Sequence, residues 1–195
     1  MRPRNHLFSA YSKTSLAVFQ SCAPKLHDYY KTKLGMLFDH DPSLQKPFNS
    51  VFTAATYNLG PQVVCFPHVD LANLPFGFCA ITAIGDFDPK KGGHLVLWDC
   101  KLVIEFPPGS TILILSAVLT HSNTKVAAHE SRFSFSQYCA GGLFRWVDHG
   151  FKTVVSYQAS LTEEQCEALA ASNSARWKLG LDLLPRIPWV SPQPS

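Results

Sequence analysis

His68, Asp70 and His121 are the residues of this chain whose types and spacing could hold a metal ion. In an extended strand side chains alternate faces, so His68 and Asp70, two apart, point the same way and can share one ion. His121 follows Asp70 by 51 positions, and Arg132 follows His121 by 11. Two imidazoles and one carboxylate on one face of an octahedral ion leave three positions open, the arrangement in which non-haem Fe(II) takes a chelating cosubstrate and O₂. A lone His-x-Asp pair is a weak sign, because a histidine hydrogen-bonded to a carboxylate is common. With a distant histidine and a following arginine it predicts an iron site with a cosubstrate clamp.

Arg132 has a defined task in that reading. The distal carboxylate of 2-oxoglutarate needs a bidentate cationic partner, which a guanidinium fork provides and an ammonium does not. Ser134, on the same strand face, could add a hydroxyl to the same carboxylate. Asn73, three residues after Asp70, offers a donor and an acceptor to a substrate edge, although it also precedes Pro75 as a turn residue would. Tyr138 ends the inward stripe, where it could stack on a planar substrate or fill the barrel mouth. His94, after Gly92-Gly93, reads as an ordinary strand histidine near the site. The lysines Lys90 and Lys91 read as the solvated tip of a hairpin.

These side chains need rigid strands. Between Val51 and Val147 short β-prone runs alternate with turn signals at Gly60-Pro61, Asp88–Gly93 and Pro107-Pro108-Gly109. The runs are Val51–Leu59, Val63–Asp70, Phe76–Ile84, His94–Asp99, Leu102–Phe106, Thr111–Leu119 and Arg132–Tyr138. With an eighth expected near Phe144–Val147, they suit a mainly β fold, a double-stranded β-helix (jelly roll, cupin-like) with flanking helices. Strand phase places Val64, Phe66, His68 and Asp70 on one face, and sets Arg132, Ser134, Ser136 and Tyr138 opposite Phe133 and Phe135. Upstream, Leu26, Tyr30, Leu34 and Phe38 recur at helical intervals and Pro24 marks a break, giving two helices. Downstream, Thr162 and Gln165 form a capping box for a further helix, and the tail Pro185–Ser195, with four prolines, is expected to be extended. The expected organisation is one domain: a helical flank over 1–50, the catalytic β-core over 51–150, and a helix with a Pro-rich tail over 151–195.

The chain has 195 residues, 46% hydrophobic and 16% charged, which excludes a disordered polymer and suits one packed core. A net charge of +3 permits a nucleic-acid partner without requiring one. Six scattered cysteines contain no Cys-x-x-Cys pair, so reduced thiols and an intracellular setting are expected. No apolar run reaches signal-peptide or membrane-span length, so no membrane partner is expected.

The segments His68-Val69-Asp70-Leu71-Ala72-Asn73, Gly92-Gly93-His94-Leu95, Phe106-Pro107-Pro108-Gly109, His121-Ser122-Asn123 and Arg132-Phe133-Ser134 together resemble the Fe(II)/2-oxoglutarate-dependent dioxygenases. The His-x-Asp-x-x-Asn form resembles the ten-eleven-translocation/J-binding-protein (TET/JBP) branch, including its fungal-type copies. The likeness covers about Phe52 to Phe151. It implies Fe(II) ligation by His68, Asp70 and His121, 2-oxoglutarate clamped by Arg132, and a base contact by Asn73, with Tyr138 on the substrate side. It also implies oxidation of the methyl group of 5-methylcytosine or thymine in nucleic acid, methylated DNA first, and a nuclear location if DNA is the substrate. The chain departs from the animal enzymes by carrying Ala140 where they have a base-contacting histidine. The rival readings are a protein or small-molecule hydroxylase on the same barrel, and an inactive binding module derived from a mobile element.

Overall fold

Pro24 lacks a backbone N–H and is therefore tolerated only in a helix's first turn. It separates α1 (Arg4–Cys22) from α2 (Pro24–His40), as expected. The computed structural model describes residues 4–46 and 48–186. Most of the tail Pro185–Ser195 lies outside the described residues, and so does Arg2.

Leu26, Tyr30, Leu34 and Leu37 form one buried stripe along α2. It packs with Phe19 of α1 against Phe52, Ala80, Cys139 and Phe144. The centre of this cluster is aromatic. Phe19, fully buried, lies 5.2–5.7 Å from the rings of Tyr30, Phe52, Phe78 and His27. Phe19→Ala is expected to cost about 3–5 kcal/mol, a large part of an ordinary domain's stability. A urea denaturation midpoint within error of wild type would show that the helical flank does not stabilise the β-core.

Seven strands follow: β1 (Ala54–Asn58), β2 (Cys79–Asp86), β3 (Leu95–Leu97), β4 (Leu102–Ile104), β5 (Thr111–Ile114), β6 (His121–Asn123) and β7 (Ser131–Tyr138). They form two antiparallel sheets, ordered β1-β7-β2-β5 and β4-β3-β6. The segment Gln62–His68 runs along the free edge of β6 and bridges to it at His68↔His121. It thus occupies the eighth strand position, and the two four-membered layers make a double-stranded β-helix.

The register sorts the side chains into two cores. Between the sheets lie Ala83, Leu95, Leu97, Phe106 and Ile114, with Ile81 and Ile112 beside them. The other face of the larger sheet presents Phe135 and Gln137 to the helices, where Gln137 Nε2 donates to Ser12 Oγ of α1 at 2.8 Å. The small buried Ser12 and Ser15 let α1 approach the sheet closely.

Several strand expectations need correction, Val63–Asp70 among them, which forms only isolated bridges, at Gln62 beside its start and at His68. Phe144–Val147 is not a strand but lies within α3 (Gly141–Asp148). Phe144 and Val147, three apart, are both buried, which a helix permits and a strand's alternation does not. The missed strand is instead β6, whose sequence His-Ser-Asn carries no hydrophobic alternation and is nonetheless buried throughout. Thr111–Leu119 is also shorter than expected, ending at Ile114 before a turn over 116–118.

Beyond α3 lie α4 (Val154–Ala159) and α5 (Glu163–Leu183). Thr162 caps α5 with the full reciprocal box: Gln165 N donates to Thr162 Oγ1, and Thr162 N donates to Gln165 Oε1. No helix among the described residues is long and apolar enough to cross a membrane.

Candidate metal centre

β6 and the irregular segment beside it bring two histidines together. His68 N donates to His121 O at 3.1 Å and His121 N donates to His68 O at 3.0 Å, a reciprocal antiparallel pair that directs both rings to one side. The ring centroids lie 4.4 Å apart. Asp70 arrives two residues after His68, its backbone N–H held by Ser116 O at 2.8 Å. One ligand atom from each of His68, Asp70 and His121 falls within 4.8 Å of the other two.

The tautomers are set by the backbone. His68 Nδ1 sits 2.7 Å from Phe66 O, and His121 Nδ1 sits 2.9 Å from Leu119 O. A carbonyl only accepts, so each Nδ1 carries a proton, which leaves Nε2 as the nitrogen that can ligate a metal. His68 Nε2 lies 3.7 Å from Asp70 Oδ1, the spacing of two groups that face one ion rather than bond to each other. Two imidazoles and a carboxylate fit a divalent ion of the iron type. His121 is buried, whereas the His68 side chain is 42% exposed, so the cluster sits at a mouth rather than in a sealed core.

The expected alternation does not hold through the segment leading to His68. Phe66 is 83% exposed, and Cys65 rather than Val64 or Phe66 lines the cavity. Pro67 can donate no ladder hydrogen bond, and the pairing there reduces to isolated bridges. Asn123 compensates: its Oδ1 accepts from Cys65 N at 2.8 Å and its Nδ2 donates to Val63 O at 2.9 Å. Those two bonds pin the irregular segment to β6. Sequence reading missed this role because nothing in an isolated Asn marks a partner 58 residues away.

Asn73 stands beside the cluster, 8% exposed. Its Nδ2 donates to Asp70 Oδ2 at 3.3 Å and to Ser116 Oγ at 3.1 Å. It therefore orients the carboxylate. Asn73→Ala is expected to weaken Fe(II) binding roughly 10- to 100-fold, the usual effect of losing a ligand's supporting hydrogen bond. An unchanged Fe(II) titration would assign Asn73 to substrate alone.

The cluster opens on a cavity of about 450 Å³ between the sheets. Arg132, Ser134, Ser136 and Tyr138 line it from β7, as their phase predicts, and Ile81 and Leu95 give it apolar walls. Arg132 is 2% exposed, yet no carboxylate among the described residues pairs with it. Its described hydrogen bond is a long one, Nε donating to Gly93 O at 3.4 Å. Gly93 holds that carbonyl at φ +69°, where a Cβ would meet the Phe87 ring at 2.5 Å. Burial pulls the guanidinium's pKa below its ordinary value, and an arginine side chain stays charged at neutral pH.

β1 adds two residues that sequence reading passed over. Asn58 pairs with Ser134 in register, and its Nδ2 donates to Ser134 Oγ at 2.9 Å. Thr56 Oγ1 meets Tyr138 OH at 3.2 Å near the rim. The signal was available, since Thr56 and Asn58 are polar at i, i+2 in a β-prone run. Cys65 and Cys79 also face the cavity, and burial raises both thiols, Cys79 to about 12 with help from Asp70. They are neutral walls rather than nucleophiles. His94 lies outside this lining and contacts Thr124. Ala140 lies outside it as well: β7 ends at Tyr138, and Ala140 bridges to Asn73 from the start of α3.

No family model matches the sequence, nor does any curated protein. Among solved structures, the chain is similar to NgTET1 in complex with 5mC DNA, at a TM-score of 0.44 and 15% identity over 63% of this chain. That match spans about half, 52%, of the NgTET1 chain. It is also similar to the viral collagen prolyl hydroxylase vCPH from Paramecium Bursaria Chlorella virus-1 in its 2OG complex. There the TM-score is 0.31 and the identity 12%, over 58% of this chain and 72% of that one. The fold assignment rests on the strand order and register of this chain rather than on these slight likenesses.

Proposed function

We propose that the chain is an Fe(II)/2-oxoglutarate-dependent dioxygenase acting on the methyl group of 5-methylcytosine or thymine in nucleic acid. One observation carries the enzyme class: a buried arginine without a carboxylate partner among the described residues faces the same cavity as a two-histidine, one-carboxylate cluster. A desolvated, unpaired guanidinium is costly, and an anionic ligand would offset that cost. The substrate class follows from the His68-x-Asp70-x-x-Asn73 resemblance to the TET/JBP branch.

His68, Asp70 and His121 would hold the ion, which when bound supplies O₂ activation coupled to decarboxylation of 2-oxoglutarate to succinate. Each remaining task belongs to the chain. The Nδ1–H bonds to Phe66 O and Leu119 O keep both imidazoles aimed, with Nε2 toward the ion, while Asn73 steadies Asp70. Arg132 would take the distal carboxylate of 2-oxoglutarate through its fork. Because Ser134 Oγ accepts from Asn58, its own hydroxyl proton is free to donate to that carboxylate. Ile81 and Leu95 would help exclude water from the inner part of the cavity. Tyr138, held by Thr56, stands where a planar base would enter, and a base in duplex DNA must be flipped out to reach it.

The test is nucleoside mass spectrometry after incubating Fe(II)-loaded protein, 2-oxoglutarate and O₂ with 5-methylcytosine and thymine oligonucleotides. Hydroxymethylated base accompanied by succinate is expected. Succinate formation stimulated only by peptides or metabolites would make the chain a hydroxylase of those substrates. No iron-dependent succinate under any condition would leave a binding module.

A further inference from the structure

A second cavity, about 820 Å³, lies between α2, α3 and α5. It shares Leu71, Ala72 and Asn73 with the metal cavity, so the two sit on either side of one short stretch of chain. Its charge is one-sided. Lys33, Arg145 and Arg176 line it against the single carboxylate of Asp148, and that carboxylate is ion-paired with Lys33. Neither Arg145 nor Arg176 has a carboxylate partner among the described residues; Arg176 Nη2 reaches only Asn173 Oδ1, at 2.6 Å.

The same wall contains a buried group without a partner. His149 is 8% exposed, stacked on Tyr157 at 4.1 Å and 12°, and its Nδ1 has no hydrogen bond among the described residues. Burial, with Arg145 and Arg176 nearby, lowers its pKa. Two guanidinium groups lining one cavity without a carboxylate partner among the described residues suit a phosphate ester better than any neutral ligand. A substrate filling both cavities must carry its reacting group and an anion a short distance apart, and a polynucleotide does so at every residue.

We infer that this second cavity holds a phosphodiester of the nucleic-acid strand whose adjoining nucleotide enters the metal cavity, with Arg145 and Arg176 as the phosphate-binding side chains. This rests on the nucleic-acid reading above. Ala140 and Gly141, which line it at the α3 start, would then meet the sugar–phosphate side of the strand rather than the reacting base.

The test is fluorescence anisotropy of a labelled single-stranded 5-methylcytosine oligonucleotide across a salt series, using the full chain. Glutamine keeps much of the arginine's packing, so the variant is the double substitution Arg145→Gln/Arg176→Gln, checked by a cooperative thermal melt. Each single substitution serves if the double does not melt cooperatively. The expected result is roughly tenfold weaker binding at low salt and a slope of log affinity against log salt that is shallower by about 1. Lys90→Ala/Lys91→Ala, which removes two charges from the exposed turn at Asp88–Gly92, is expected to keep the wild-type slope. Equal losses in both doubles would reduce the effect to net charge and overturn the inference. If wild type binds the oligonucleotide and the arginine variant keeps its affinity and slope, the inference fails while the nucleic-acid reading stands. If wild type binds no oligonucleotide, both fail.

Discussion

Asp70→Ala protein is expected to form no succinate above the iron-only background, while melting within a few degrees of wild type. Asp70 supplies the cluster's carboxylate, and among the described residues no other acidic residue lines the cavity to replace it. Its removal leaves two histidines, one of them 42% exposed, which would hold a divalent ion weakly. Metal-assisted catalysis contributes several kcal/mol, so the rate should fall on the order of 1,000-fold or more. The fold should survive because the Asp70 side chain is not part of either apolar core. His121→Ala should abolish turnover equally, but with some loss of stability, since His121 is buried on β6. Metal content by atomic emission and succinate by mass spectrometry separate the outcomes. Undiminished turnover in Asp70→Ala would move the metal elsewhere.

The second large effect is expected at Arg132. Arg132→Lys keeps a cation in the cavity but loses the planar fork and the Nε bond to Gly93 O. A hydrogen bond to a charged group contributes about 1.5–3 kcal/mol, so the 2-oxoglutarate concentration for half-maximal turnover should rise roughly 10- to 150-fold. Fe(II) affinity should be unchanged, because Arg132 is not among the clustered ligands. That split between cosubstrate and metal is what a merely structural arginine would not produce. Equal cosubstrate dependence in the two proteins would show that another group binds the carboxylate.

The chemistry-bearing positions were legible in the sequence because their spacing obeys strand geometry. Arg132, Ser134, Ser136 and Tyr138 all reach the cavity, since β7 is a regular ladder between two partners. His68 and Asp70 also arrive there, though by a less regular route than alternation implies, because Pro67 interrupts the pairing and Phe66 turns to solvent. β6 was illegible: three buried polar residues show no hydrophobic pattern, and their placement depends on pairing with Leu95 and Leu97 some 25 residues away. The apolar residues Phe144 and Val147 were read with the wrong period, a short run being ambiguous between helix and strand. The carboxylate-holding role of Asn73 could not be read at all, because it depends on Ser116 and Asp70 meeting in space.

The central claim is that one cavity holds ferrous iron through His68, Asp70 and His121 and a 2-oxo acid against Arg132. Anaerobic titration followed by visible absorption tests it most directly, because a 2-oxo acid that chelates ferrous iron produces a charge-transfer band. Wild type is expected to take up one Fe(II) per chain and to develop the band on adding 2-oxoglutarate. Asp70→Ala should lose it, and Arg132→Lys should need more 2-oxoglutarate to reach it. Binding of 2-oxoglutarate equally tight with and without Fe(II), with no band, would contradict the account.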